Sequence, residues 1–399
     1  MGDASLAAPR LEIRNLYKIF GARGRDTLAL LKSGVTRADA LKGTGDVVAV
    51  NDVSFEVRER EIFVVMGLSG SGKSTLIRCI NRLIEPTSGQ ILLNGADIVA
   101  ANAETLRQIR REQIAMVFQH FALFPHMSVV DNVEYGLKVR GLPREQRRQK
   151  AREALAQVGL LDWASERPAN LSGGMRQRVG IARALVLDPT VLLMDEPFGA
   201  LDPLIRREMQ LEVLKIRERF SGSIVFITHD LHEALLLGDR IAIMREGQLV
   251  QVGAPSDIIN NPANDYVAAF TQDVDRGRVL TVQSVMRAPS TMSARDLTWE
   301  ACERRFRDKA CKAIFVLDEH EVCLGMILRQ DGQPEARGDS VAPLDLLRKL
   351  QAPLRSTDVL TQVYARCQAE APMAVLAPSG ALCGVVHTKD VWGAIAERQ

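Results

Sequence analysis

Short, unbroken apolar runs punctuate the first two thirds of the chain. Ile62–Met66, Val191–Met194 and Ser223–Ile227 are continuous apolar runs that read as strands. Each run delivers polar groups at its C-terminal end: a glycine-rich turn after Met66, Asp195 and Glu196 after Met194, and Thr228, His229 and Asp230 after Ile227. Open α/β sheets bind ligands at that edge.

Around these runs the pattern changes. Leu11–Phe20 and Val47–Val57 alternate apolar and polar residues as strands do, and Gly21–Asp46 between them breaks the alternation with glycines and charges. That piece reads as an insertion, partly helical. Ser74–Ile84 has helical spacing, which makes strand, loop and helix of Ile62–Ile84. Glu104–Leu187 is charged and helical in pattern, broken at Pro125, Pro143 and Pro168, and reads as a helical subdomain inserted into the sheet domain.

Beyond about Asp273 the composition shifts and a repeat emerges. Val316, Leu317, Gly325 and Asp331 correspond to Val375, Leu376, Gly384 and Asp390 at a constant offset of 59 residues. Both copies read as short strands with a glycine, then a helix opened near Asp, which predicts two related β-α units packed as a pair.

Composition narrows the function. At 399 residues the chain exceeds what one core organises, so two domains are expected. With 51 Lys+Arg against 49 Asp+Glu the net charge is +2, without the basic excess of a general nucleic-acid binder. No apolar stretch reaches the roughly 18–20 residues of a membrane-spanning helix, and Met1–Arg10 lacks the apolar core of a signal peptide, so a cytosolic chain is expected. Six cysteines without a CxxC pair are expected to be buried reduced thiols rather than disulfides or metal ligands.

The chemistry begins at Gly67-Leu68-Ser69-Gly70-Ser71-Gly72-Lys73-Ser74, which fits GxxxxGK[ST] between a strand and a helix. Glycines let backbone N–H groups close around phosphate oxygens, and the following helix adds its positive dipole end. Lys73 supplies a point charge to the β- and γ-phosphates; Ser74 is placed to ligate Mg²⁺, Asp195 to hold the same ion, and Glu196 to polarise the attacking water. Alone, the loop is a tight turn and Asp195-Glu196 an acidic pair at a helix start; in this order they predict a P-loop NTPase.

Leu171-Ser172-Gly173-Gly174-Met175-Arg176-Gln177 opens a further helix with a Ser cap and two glycines. LSGG shortly before an Asp-Glu strand end is the hallmark of the ATP-binding-cassette (ABC) family, and Leu11 to about Phe270 resembles that family. The resemblance implies an α/β P-loop ATPase domain over 1–272, with a helical subdomain at about 104–187 and an insertion at about 21–46. It implies ATP bound through Gly67, Ser69, Gly70, Ser71, Gly72, Lys73, Ser74 and Thr75, with Mg²⁺ on Ser74, Gln119 and Asp195. Gln119 resembles the Q-loop glutamine, Asp202 the D-loop aspartate, His229 the switch histidine and Phe20 the adenine-stacking aromatic. Glu196, His229 and Gln119 form the implied catalytic set. Taken singly, Gln119 reads as a surface amide, His229 as a strand-end histidine and Phe20 as a core aromatic. The signature residues Ser172, Gly173 and Gly174 are implied to meet the γ-phosphate held by a second copy of the subunit, hence a homodimer. Met175 and Gly199 depart from the usual Gln and Ser at their positions.

Gly67-Leu68-Ser69, Asn81-Arg82-Leu83-Ile84-Glu85-Pro86, Met175-Arg176-Gln177-Arg178 and Asn260-Asn261-Pro262-Ala263-Asn264-Asp265-Tyr266 resemble the ATPases of glycine betaine, proline betaine and choline importers. That resemblance implies transmembrane permease subunits, a substrate-binding protein and a place on the cytoplasmic face of the cell membrane, at its surface. It also implies a smaller α+β pair of cystathionine-β-synthase-like (CBS) repeats at 281–335 and 340–399. Leu328 and His387 stand where adenosyl-binding CBS repeats commonly have Ser or Thr. Arg304, Arg305, Arg307, Lys309 and Lys312 form either a solvated helix face or a patch for anionic lipid, screened over about 8 Å in physiological salt. The alternatives are import of another small solute, such as an amino acid, and a soluble ABC ATPase outside transport.

Overall fold

The computed structural model describes residues 8–119, 121–272, 276–308, 311–330, 342–350, 352–364, 366–367, 371–377 and 379–396. The expectations placed on His120, Asp273, Lys309, Asp331 and the stretch before Ala8 therefore lie outside the described residues. The chain divides into two compact units, Met1–Gln272 and Asp273–Gln399.

In the first unit β1 (Leu11–Phe20) runs into a helical hairpin, α1 (Gly24–Lys32) and α2 (Arg37–Thr44), and the chain returns through β2 (Val47–Val57). Then come β3 (Ile62–Met66), α3 (Lys73–Ile80), β4 (Ser88–Leu93) and β5 (Ala96–Asp97), followed by α4 (Ala103–Glu112) and β6 (Ile114–Val117). Three helices follow: α5 (Val129–Val139), α6 (Arg144–Gln157) and α7 (Gly173–Leu185). The unit ends with β7 (Val191–Asp195), α8 (Pro203–Arg219), β8 (Ser223–Thr228), α9 (Leu231–Leu237), β9 (Arg240–Arg245), β10 (Gln248–Gly253), α10 (Pro255–Asn260) and α11 (Asp265–Thr271).

An antiparallel sheet of order β2-β1-β4-β5 accompanies a six-stranded sheet of order β10-β9-β3-β8-β7-β6. From β9 to β6 the second sheet is parallel, with Met66 opposite Thr228 and Asp195 opposite Ile227. The C-terminal ends of β3, β8 and β7 are therefore neighbours. Their residues are buried throughout, which explains the unbroken apolar runs. The core joins both sheets through α3, with Leu76, Ile77 and Ile80 packed among strand residues and Phe55 stacked on Phe63 at 4.7 Å.

Two expectations change. Helix α3 stops at Ile80 instead of Ile84, because Arg82 takes a left-handed φ of 54° and the Asn81 side chain accepts a hydrogen bond from Leu83 N at 3.0 Å. The stretch Glu104–Leu187 is not wholly a helical subdomain: Ile114–Val117 is the edge strand beside β7, and Leu106 and Ile109 of α4 belong to the sheet core. The separate helical core is built by α5, α6 and α7, with Val133, Leu155 and Val179 at its centre.

The second unit begins with α12 (Arg276–Val279) and α13 (Val282–Val285), then β11 (Thr291–Ser293), α14 (Trp299–Phe306), β12 (Ala313–Leu317) and β13 (Cys323–Leu328). It continues with α15 (Leu360–Tyr364), β14 (Met373–Leu376), β15 (Leu382–Val386) and α16 (Thr388–Ala396). The two hairpins share one register: Val316 faces Gly325 and Val375 faces Gly384. They also exchange neighbours. Arg287, ahead of the first hairpin, bridges to Val385 of the second, while Arg348, ahead of the second, bridges to Met326 of the first. The six cysteines form no disulfide, but Cys383 is exposed and only Cys79 and Cys302 are fully buried, so the expectation of buried thiols holds for two of them.

Candidate functional site

The loop between β3 and α3 is shaped by close approaches of backbone. A Cβ on Gly67 would lie 2.1 Å from the Met244 carbonyl oxygen, and one on Gly72 would lie 2.1 Å from that of Ala49. Gly72 has φ 106°, in the left-handed region, so a side chain there meets both strain and a wall. Gly70 (φ 77°) instead faces open space. The turn between β9 and β10 braces the loop from behind, with Gly247 N donating to Ser71 O at 2.9 Å and Asn51 N donating to Gly247 O at 2.9 Å.

The loop delivers Lys73, Ser74 and Thr75 into the first turn of α3, whose N-cap Gly72 offers no side-chain cap. Unsatisfied N–H groups at a helix start donate hydrogen bonds to anions. The Ser71 hydroxyl is buried without a hydrogen-bond partner, as expected where a ligand oxygen is meant to sit. Lys73, only 4 % exposed, donates to the carbonyls of Gly67 at 2.8 Å and Leu68 at 3.1 Å. Burial pulls its ammonium below the ordinary lysine range, while the carboxylates of Glu196 and Asp195 act the other way.

The end of β7 supplies the acidic side. Ser74 Oγ donates to Asp195 Oδ1 at 2.9 Å, and Arg78 donates to Asp195 Oδ2 at 3.3 Å. Ser74 and Arg78 stand four residues apart on α3, hence on one face, and both meet a carboxylate that is 1 % exposed. Glu196, at φ 44°, is turned out of the strand line; its Oε1 lies 3.7 Å from Lys73 Nζ and its Oε2 lies 3.0 Å from His229 Nδ1. Gln119 joins this group. Its Nε2 lies 3.7 Å, and Glu196 Oε2 3.6 Å, from the place a Cβ on Gly199 would take. Gly67, Ser69, Gly70, Ser71, Gly72, Lys73, Ser74, Thr75, Gln119, Asp195, Glu196 and His229 are thus gathered at one sheet edge.

The other expected residues stand apart. Ser172 caps α7, accepting from Met175 N at 3.3 Å; Gly173 lies beside Leu201, and a Cβ on Gly174 would lie 2.4 Å from Ile205 Cγ2. Asp202 heads α8 without a side-chain cap bond. Among the described residues none of these bonds to the phosphate loop. Phe20 ends β1 opposite Val47, two residues before the Ala49 carbonyl that walls Gly72, with Lys18 Nζ 4.7 Å from its ring centre.

Sequence reading missed two supports. Arg78 was legible as the i+4 partner of Ser74; the bracing turn at Gly247 was not, since only the fold brings β10 to the loop.

Three comparisons bear on this arrangement. The family model described as ABC transporter matches residues 50–199. A glycine betaine transport ATP-binding protein of Bacillus subtilis, OpuAA, is 42% identical over 97% of this chain and 92% of its own length. A glycine betaine/proline betaine transport system ATP-binding protein of Escherichia coli, ProV, is 54% identical over 70% of each chain. A solved ATP-binding cassette, captured as a dimer in a post-hydrolysis state with ADP and Pi, aligns with TM-score 0.52 and 30% identity over 61% of this chain and 98% of that one. A phosphate loop facing an Asp-Glu strand end, within a chain 42% identical over 97% of its length to one such protein, makes this protein a member of the ABC-transporter ATP-binding family, an ATP-binding and ATP-hydrolysing subunit.

Proposed function

We propose that this subunit powers import of a quaternary amine osmoprotectant, such as glycine betaine, proline betaine or choline, through a membrane permease. The observation that carries this reading is the 42% identity to a glycine betaine transport ATP-binding protein across 97% of the chain, its C-terminal unit included. Among the described residues no helix is long and apolar enough to cross a membrane, so passage belongs to other subunits.

The residues divide the work by position. The amides around Gly70–Lys73 hold the phosphates of ATP, with Lys73 reaching the β- and γ-phosphates. The paired oxygens of Ser74 and Asp195, a hydroxyl and a carboxylate 2.9 Å apart, are the hard donors a magnesium ion takes, and the Gln119 amide stands on the Glu196 side, where both approach Gly199. When bound, that ion neutralises charge on the phosphate oxygens. Glu196 orients a water and takes its proton as the water oxygen bonds to the γ-phosphorus and the bond to the β-γ bridging oxygen breaks, releasing ADP and phosphate. His229, 3.0 Å away, holds the carboxylate in line.

Ser172 and the α7 N-terminus complete the site on a second copy of the subunit. A groove of about 400 Å³ lined by Leu83, Phe118, Phe124, Tyr135 and Leu187, next to Gln119, suits an apolar helix of the permease and would keep the subunit at the cytoplasmic face of the membrane. The doubled hairpin of the second unit is a CBS-like regulatory pair. Proteoliposomes carrying the permease and this chain should accumulate labelled glycine betaine with ATP; accumulation of an amino acid instead would replace the cargo.

A further inference from the structure

We propose that Asp46 is a positioning residue for Phe20, so that the inserted helical hairpin sets how firmly the base of the nucleotide is held. The inference deepens the reading of Phe20 as the base-stacking aromatic and rests on it.

The hairpin leaves the sheet at Phe20 and re-enters at Val47, which are opposite one another. Phe20 is 43 % exposed. At Gly21 (φ 149°) a Cβ would lie 1.8 Å from Asp46 Oδ1, so the carboxylate occupies the space a side chain would need at the residue that follows Phe20. Asp46 is 2 % exposed, and among the described residues no cation lies within ion-pair distance of it. Neutral groups of the hairpin hold it: the buried Thr27 hydroxyl donates to Oδ2 at 2.8 Å and Arg23 N to Oδ1 at 3.4 Å. Thr44 Oγ1, 3.0 Å from Thr27 Oγ1, accepts from Asp46 N at 3.2 Å and donates to Ala40 O at 2.7 Å. The carboxylate therefore holds the start of α1, and Thr44, bonded to Thr27 and to the Asp46 backbone, joins the end of α2 to the same knot.

Burying a carboxylate among neutral donors costs free energy that an apolar contact would not. Its place explains why it is used. The hairpin is fastened at the end of β1 and the start of β2, and β2 also touches the phosphate loop through Ala49 and Gly72. The lock thus holds the aromatic ring at a fixed distance from the phosphates, which no loose apolar contact would do. Slackening it should weaken grip on the base and leave grip on the phosphates alone.

The test uses the purified full chain and three probes: ATP, CTP, and inorganic tripolyphosphate, which has no base. Asp46→Asn and Thr27→Val should raise the Kd for ATP about 3- to 10-fold, bring ATP and CTP closer together, and leave tripolyphosphate within about twofold, on the scale of a weakened base stack. Thr27→Ser, which keeps the hydroxyl, should retain the ATP preference, and the contrast between Thr27→Val and Thr27→Ser serves if Asp46→Asn fails to fold. Equal losses for ATP and tripolyphosphate, or no loss for ATP, overturn the positioning role. Phe20→Ala separates the two readings: if it leaves the ATP-to-tripolyphosphate ratio unchanged, base stacking on Phe20 is wrong; if it collapses the ratio while the Asp46 and Thr27 variants do not, only the positioning role falls.

Discussion

The Oε2 atom of Glu196 lies 3.0 Å from Nδ1 of His229, across the adjacent ends of β7 and β8. Its other oxygen is 3.7 Å from Lys73 Nζ, so the carboxylate sits between the phosphate-loop ammonium and the imidazole ring.

Replacing Glu196 by Gln keeps that shape and removes the proton acceptor. Steady-state hydrolysis should fall by about 100-fold or more, while ATP affinity changes little. Near-wild-type turnover by the purified variant would take Glu196 out of the reaction.

Ser172→Arg adds bulk and charge at the α7 N-terminus, away from the chain's own phosphate loop. ATP binding by the isolated subunit should be unchanged, with hydrolysis down by about 100-fold, the scale of losing a phosphate-facing donor. Mixing in a variant dead at Lys73 should rescue part of the activity, because each mutant carries the intact half the other lacks.

Two glycines should behave oppositely. Gly72→Ala forces a left-handed residue against the Ala49 carbonyl and should weaken ATP binding by about 10-fold or more, with the far-ultraviolet circular dichroism spectrum retained. Gly199→Ser meets only ordinary contacts at 3.6 Å and beyond and should keep hydrolysis within about threefold.

Burial raises the carboxyl of Glu233 above the ordinary carboxylate range, against hydrogen bonds from Thr228 and Gln210. An acid whose folded pKa is raised burdens stability above that value, and the burden fades as pH falls toward the unfolded pKa. Glu233→Gln should therefore gain more thermal stability over the wild type at pH 8 than at pH 5. A gain that grows toward acid pH would reverse the assignment.

A chain ending at Gln272 should still fold and hydrolyse ATP, since every phosphate-loop and strand-end group lies in the first unit. Loss of hydrolysis in that truncated chain would show that the second unit sustains the motor.

The parts of the site legible in sequence are those dictated by backbone chemistry. Glycines at 67 and 72 announce close approach, and apolar runs ending in Asp195 or His229 announce the sheet edge. What escaped depends on contacts far apart in the chain. Ile114–Val117 is apolar enough for a strand, yet follows the charged helix α4 directly and, among the described residues, pairs only with β7. Ile84 continues helical spacing after the helix has ended, because a left-handed Arg82 leaves no mark on periodicity. The constant offset in the second unit was legible, whereas the exchange that sets Arg287 against Val385 and Arg348 against Met326 was not, since a repeat does not say which copy its flanks will join.

The placement of β3 between β8 and β9 also governs how the protein is made. Ile62 must wait for Ile224, and Phe63 for Arg240, before either edge of the phosphate-loop strand is paired. At about 5–20 residues per second, synthesis leaves a buried-type strand unpartnered for roughly 10–30 s, while the α5–α7 core can already assemble. Nascent chains released before Thr228 should be captured by chaperones and cut readily near Met66, and refolding of the full chain should be slow, limited by this late closure of the sheet.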